Sequence, residues 1–167
     1  PVELASSHRE IVEGFDLASF GAAPTRFDAA DLGPLTRAHL RGLPHEAVAG
    51  RLRALGIPDA EAPALWEAVR DSIGGLDDTA AWWRLTAQGA DAAPDPADAD
   101  FVAQALALLP PQPWGPQTWG EWTAAVAAAS GRKGRALYRP LRRALTGRED
   151  GPDMGVLMPL LRRPRGA

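Results

Sequence analysis

The sequence predicts an all-α fold of two small helical subdomains, about eight to nine helices in all, behind a short irregular N-terminal stretch. Three observations lead there. Ala and Leu abound while consecutive β-branched residues are nearly absent. Apolar residues recur at helical spacing in segments of about 10–16 residues. Clusters of Pro, Gly and Asp punctuate those segments. The 167 residues suit one domain or two small helical units sharing an interface.

A short amphipathic piece is expected around Ser7–Gly14. The stretch from Phe15 to Phe27 follows, made irregular by Gly21 and Pro24. Asp28 or Asp31 can cap a helix running to about Arg41, whose stripe is Leu32, Leu35, Leu40 and Leu43. A helix over 44–55 turns Val48, Leu52 and Leu55 inward and stops at Gly56. The next, over 60–73, places Leu65, Val69 and Ile73 on one face and ends at Gly74-Gly75. A helix over 77–87 carries Trp82, Trp83 and Leu85. The stretch 89–98 (GADAAPDPAD) has little to bury and reads as a linker. Beyond it come a helix over 97–109, a proline-rich turn over 110–116, and a helix from Thr118 to Ala129 stopped by Gly131. Thr118 and Glu121 have the spacing of a capping box. A basic helix over 133–146 and a short last one near 152–161 complete the chain. Pro140 should kink or restart the basic helix, because it cannot donate to residue 136.

Composition excludes several classes. Without cysteine there is no disulfide framework, thiolate metal site or thiol nucleophile, which fits a reducing cytosol. No apolar run approaches the ~18–20 residues that span a bilayer, and no membrane association is expected. Pro1-Val2-Glu3-Leu4 is no signal peptide and lacks Met, which reads as a cut point inside a longer protein. The net charge of −3 hides an asymmetry: 131–167 holds ten Arg or Lys against three Asp or Glu, and the remainder eight against eighteen. Such a basic end on an acidic chain points to a local polyanion site.

No residue set for catalysis emerges. His8, His39 and His45 are scattered, and Ala49 breaks an HExxH reading of His45-Glu46. GxSxG and Walker loops are missing from the sequence, and acidic pairs such as Asp77-Asp78 and Glu149-Asp150 read as solvated caps. The six tryptophans (Trp66, Trp82, Trp83, Trp114, Trp119, Trp122) read mostly as helix–helix core, with one of the adjacent Trp82 and Trp83 turned outward.

The segment Gly131–Gly147 is the informative one. On a helix, Arg135, Arg139 and Arg142 fall on one stripe, with Arg143 a turn beyond Arg139 and Tyr138 beside them; Arg132 and Lys133 precede. Leu137, Leu141, Ala144 and Leu145 form the opposite, buried face. Guanidinium forks with one ring suit a flexed single-stranded RNA loop, since forks hold phosphates and base edges and the ring stacks. The alternatives are a solvated basic face, or a helical protein-interaction domain whose basic end docks an acidic partner.

GRKGRALYRPLRRALTG resembles the (T/S)G-x-K-G-x-x-(L/V)-(F/M)-x-PLR-x-A-(L/V)-TG segment in the anticodon-binding region of bacterial glutamyl-tRNA synthetases. Gly151-Pro152 and Pro159-Leu160-Leu161 are similar to that family's closing helix. Phe15-Asp16-Leu17-Ala18-Ser19-Phe20-Gly21, Ala23-Pro24 and Phe27-Asp28 resemble the element ending its stem-contact region. Leu65 to Arg70, Leu76 and Trp82-Trp83 resemble the alphaproteobacterial subtype. The resemblance implies a stem-contact remnant over 1–28, a first helical subdomain over 29–90 and an anticodon-binding one over 97–167. It implies a parent class I ligase that joins glutamate to tRNA with ATP and Mg, cytoplasmic and monomeric, recognising the glutamate and conceivably the glutamine acceptor. The HIGH and KMSKS signatures of the ATP site are missing from this sequence, so the chain itself is expected to be non-catalytic, without a cofactor or metal, and to grip the anticodon arm. The implied tRNA-binding residues are Arg132, Lys133, Arg135, Tyr138, Arg139, Arg142, Arg143 and, for the last anticodon base, Arg70. Arg142 can instead be a core tie bonding backbone carbonyls.

Overall fold

The apolar periodicity becomes nine α-helices with no strand in a computed structural model that describes residues 8–16, 18, 32–90 and 95–162. They are α1 (His8–Glu13), α2 (Leu32–Gly42), α3 (His45–Ala54), α4 (Ala62–Val69), α5 (Asp78–Gln88), α6 (Ala99–Ala107), α7 (Thr118–Ser130), α8 (Arg135–Thr146) and α9 (Met154–Leu157). Single 3-10 turns at Pro96–Asp98 and Met158–Leu160 lead into α6 and extend α9. The proposed caps Asp28 and Asp31, and most of the Phe15–Asp28 element, lie outside the described residues.

Helices α3, α4 and α5 pack in sequence, and α4 also meets α9. Of the expected inward residues, Val48, Leu52, Leu65, Val69 and Ile73 are buried, while Leu55 is partly buried against the core. The α4 helix is shorter than its apolar spacing suggests. It ends at Val69, and a turn closed by Ser72 N–H on the Val69 carbonyl (2.8 Å) carries Ile73 into the core. Asp78 then accepts the amides of Gly74 and Gly75 (2.9 and 3.1 Å) and starts α5.

Four of the six tryptophans are buried: Trp66, Trp82, Trp114 and Trp122. Burying an indole leaves its N–H in need of an acceptor. Trp66 donates to the Leu43 carbonyl (3.0 Å), Trp114 to that of Pro110 (2.8 Å) and Trp122 to that of Ala105 (2.8 Å). Each ring thereby fixes a neighbouring backbone as well as filling space. Trp83 is the partly exposed member of the adjacent pair.

Two local expectations are corrected. Thr118 and Glu121 do not form a capping box: Gln117 is the N-cap, and the Thr118 hydroxyl accepts Gly115 N–H (2.9 Å), closing the turn before the helix. Nor does the basic helix restart at Pro140; α8 runs through it. The Ala136 carbonyl that Pro140 cannot serve receives Arg132 Nη1 at 3.3 Å, so a side chain replaces the missing backbone donor.

The last segment joins the halves. Met154, Leu157 and Met158 are at most 1 % exposed, held between α4 and α7. Gln112 donates to the Leu161 carbonyl (2.9 Å), and Arg162 N–H donates to that of Thr86 (2.9 Å). Buried residues from Leu40 to Leu161 consequently form one hydrophobic cluster. Before that segment, Gly147 (φ +68) ends α8 in the left-handed conformation that glycine adopts without penalty. Thr146 accepts Arg148 N–H (3.2 Å), and the chain folds back onto Trp82. Arg148 stacks 4.7 Å over the Trp82 ring, and Gly151, at φ +145, leaves no room there: a Cβ would lie 2.5 Å from Trp82.

Gly151→Ala should therefore cost about 2–4 kcal/mol, combining backbone strain with overpacking, as read from urea unfolding. Trp122→Ala should cost about 3–5 kcal/mol by opening a cavity in the core.

Candidate nucleic-acid interface

Helix α8 presents its two expected faces. Leu137 and Leu141 are buried, at 2 % and 0 % exposed, with Ala144 and Leu145 packed beside them against α6 and α7. The opposite face bears the cations, but they are not equivalent.

Lys133 and Arg135 are exposed and pair with no acid among the described residues. They stand at the start of α8, where the N-cap is Gly134, no side chain caps the helix and the first turn contains no acid. Unsatisfied amides and the helix dipole make such an end electropositive, and two cations add to it. Tyr138, 47 % exposed, sits one turn on, 6.3 Å from the half-buried Trp119 ring. Trp119 in turn meets Trp122 edge-on at 5.7 Å. The exposed phenol thus rests on a stack rooted in the core.

The other cations are engaged. Arg132 pairs with Asp98 at 2.6 Å and lies 3.9 Å over the Phe101 ring, besides serving Ala136. Arg139 hydrogen-bonds Glu149, which raises its pKa above the ordinary arginine value. Arg143 lies 3.6 Å from Glu149 and 3.9 Å from Asp95. Arg142 is half-buried, and desolvation lowers its pKa. It donates to the Pro152 carbonyl at 2.9 Å, while its buried Nη1 meets no acceptor among the described residues. Of the two roles open for Arg142, this geometry is that of a tie between α8 and the returning loop. Arg70 caps α4 and pairs with Glu67 at 3.0 Å. Its helix packs on α3, α5 and α9.

A shallow groove of about 310 Å³ runs between Arg135, Tyr138, Arg139, Arg142, Glu149 and Asp150. The sequence missed the acids. Asp95 and Asp98 fall in the stretch read as a linker, where Asp95 caps the turn into α6 by accepting Ala97 N–H (3.0 Å). Glu149 belongs to a pair read as a solvated cap. Only the left-handed Gly147, which turns the chain back along α8, hinted at its placement. No group of three or more metal-ligating side chains occurs among the described residues, and no described helix is long and apolar enough to cross a membrane.

Fold and surface together define an all-helical module with a basic, aromatic-flanked helix exposed at one end. The anticodon binding domain family matches residues 86–165. Glutamate–tRNA ligase 1 of Cereibacter sphaeroides is 56% identical over 165 residues, covering 99% of this chain and 37% of that protein. Glutamate–tRNA ligase 1 of Roseobacter denitrificans is 54% identical over 161 residues, 96% of this chain and 36% of that protein. The chain therefore spans little more than a third of the length of these relatives. The glutamate–tRNA synthetase of Elizabethkingia anophelis shares the fold, with a TM-score of 0.68 at 18% identity over 92% of this chain and 33% of that one. Over nearly its whole length the chain is thus similar to about a third of these glutamate–tRNA ligases, and its residues 86–165 match the anticodon binding domain family.

Arg142→Ala should lower stability by about 1–3 kcal/mol in urea unfolding, because it leaves the Pro152 carbonyl unpaired. Arg135→Ala, which removes no hydrogen bond or ion pair among the described residues, should leave the unfolding midpoint unchanged.

Proposed function

We propose that this chain binds the anticodon arm of tRNA for a glutamate–tRNA ligase, with the α8 surface as its contact. The parent enzyme would use ATP and Mg to attach glutamate on polypeptide outside this sequence, as a cytoplasmic monomer, with glutamate tRNA as its acceptor and glutamine tRNA as the alternative one. In this proposal the helical halves over 29–90 and 97–167 act as one grip, and residues 1–28 lead towards the stem.

The observation that carries the reading is the start of α8. An uncapped helix end beside the unpaired Lys133 and Arg135 attracts an anion, and Tyr138 beside it offers a base a ring to stack on. Phosphates spaced along an RNA loop would meet Lys133, Arg135 and the helix amides first, with Arg139 reached further along the groove and Arg143 one helical turn beyond it. Arg132 and Arg142 contribute by holding the helix in place, and Arg70 is the proposed reader of the last anticodon base.

The test is the salt dependence of binding. Glutamate tRNA should lose affinity steeply as salt rises, and Lys133→Ala with Arg135→Ala should weaken binding and reduce the logarithmic slope by about 1.4, at roughly 0.7 per single-strand phosphate contact. Tyr138→Ala should cost about 1–3 kcal/mol of binding if it stacks on a base, with the slope unchanged. Unaltered affinity in the double variant would remove α8 from the site. Docking of an acidic protein would be indifferent to the anticodon sequence, so binding that ignores the anticodon would favour that reading instead.

A further inference from the structure

Arg139 and Arg143 stand one turn apart on α8, where like charges repel. Glu149 answers both, hydrogen-bonding Arg139 and lying 3.6 Å from Arg143. It reaches them only because Gly147 reverses the chain and Gly151 seats the loop against Trp82. Asp95 also approaches Arg143, at 3.9 Å. A notch of about 120 Å³ separates these groups, lined by Asp95, Asp98, Val102, Arg139, Arg143 and Glu149 among others. Side chains of Arg139, Arg143 and Glu149 are 47%, 38% and 35% exposed. The pairs are therefore weak, accessible to solvent and displaceable. At the other end of the same helix, Lys133 and Arg135 have no carboxylate partner among the described residues.

We propose that Glu149 is a specificity-determining residue of the RNA site: an internal counter-anion that occupies Arg139 and Arg143 until a correctly docked RNA displaces it. The inference rests on the RNA-binding reading above. A phosphate entering at Arg139 must replace a carboxylate already there, so it exchanges one ion pair for another and gains little. RNA that offers phosphate alone is held only by the open end of α8. RNA whose loop also stacks and hydrogen-bonds along the groove has further contacts to drive the exchange. Glu149 thereby subtracts from non-specific binding more than from specific binding, which is selectivity by an unfavourable competitor.

The experiment titrates the whole 167-residue chain with glutamate tRNA and, separately, with an unrelated tRNA, over a series of salt concentrations. Wild type is compared with Glu149→Gln and with Glu46→Gln, which removes the same charge from an exposed site on α3 that makes no ion pair among the described residues. Glu149→Gln should tighten the unrelated tRNA roughly ten-fold and glutamate tRNA less, with a salt slope steeper by about 1.4 as two guanidiniums become free. Glu46→Gln should change neither. Equal gains for both RNAs, a gain matched by Glu46→Gln, or weaker binding in Glu149→Gln would each overturn the inference while the RNA-binding reading stands. Wild type that binds neither tRNA would remove that reading and this inference together. Should Glu149→Gln fail to fold, the side-chain Nε–H resonances of Arg139 and Arg143 in the unaltered protein decide. They should move on adding glutamate tRNA and stay in place with the unrelated one, and equal movement with both would overturn the inference.

Discussion

The burial of Met154, Leu157 and Met158 between α4 and α7 is the contact on which the rest depends. These side chains come from the second helical half yet pack on α4 of the first, and removing them from water merges two small cores into one. Small helical units are marginal because surface dominates volume, so a shared core is worth more than two separate ones. The position of α9 in turn fixes where the chain between α8 and α9 runs. That path takes it back along α8, presses Gly151 on Trp82 and delivers Glu149 to Arg139 and Arg143. The electrostatics of the surface is thus a consequence of core packing some residues away.

The surface divides accordingly. At the start of α8 the charge is open, unpaired and reinforced by uncapped amides; towards its end each guanidinium has an internal acceptor. Arg132 supports the division, compensating the carbonyl freed by Pro140 while tied to Asp98. A helix carrying proline and four guanidiniums would be poorly stable alone. Here it keeps its course because Leu137 and Leu141 are buried and side chains close its backbone defects.

Much of this was legible in the sequence, and the reason is local. The punctuation by Gly56, Gly131 and Gly147 sets helix ends through backbone conformation alone, and the stripes of Leu65, Val69, Ile73 and of Leu137, Leu141 follow from helical period. The cationic face of α8 was legible for the same reason. What could not be read were long-range partners. Asp98 and Arg132 are 34 residues apart, and nothing in either segment marks the other. The Thr118–Glu121 spacing misled because a hydroxyl can close the preceding turn as readily as cap the helix. The restart expected at Pro140 fails because the rule for proline counts backbone donors and overlooks a guanidinium four residues before the freed carbonyl.

The central claim is that an RNA loop meets the start of α8. It is tested most directly by photo-crosslinking glutamate tRNA that carries 4-thiouridine in the anticodon loop, followed by mapping of the adducts on the protein. The account predicts adducts within 133–138, centred on Tyr138, and their loss when the loop is replaced by an unrelated one. Adducts confined to α2–α4, or cross-linking to α8 that ignores the loop sequence, would contradict it.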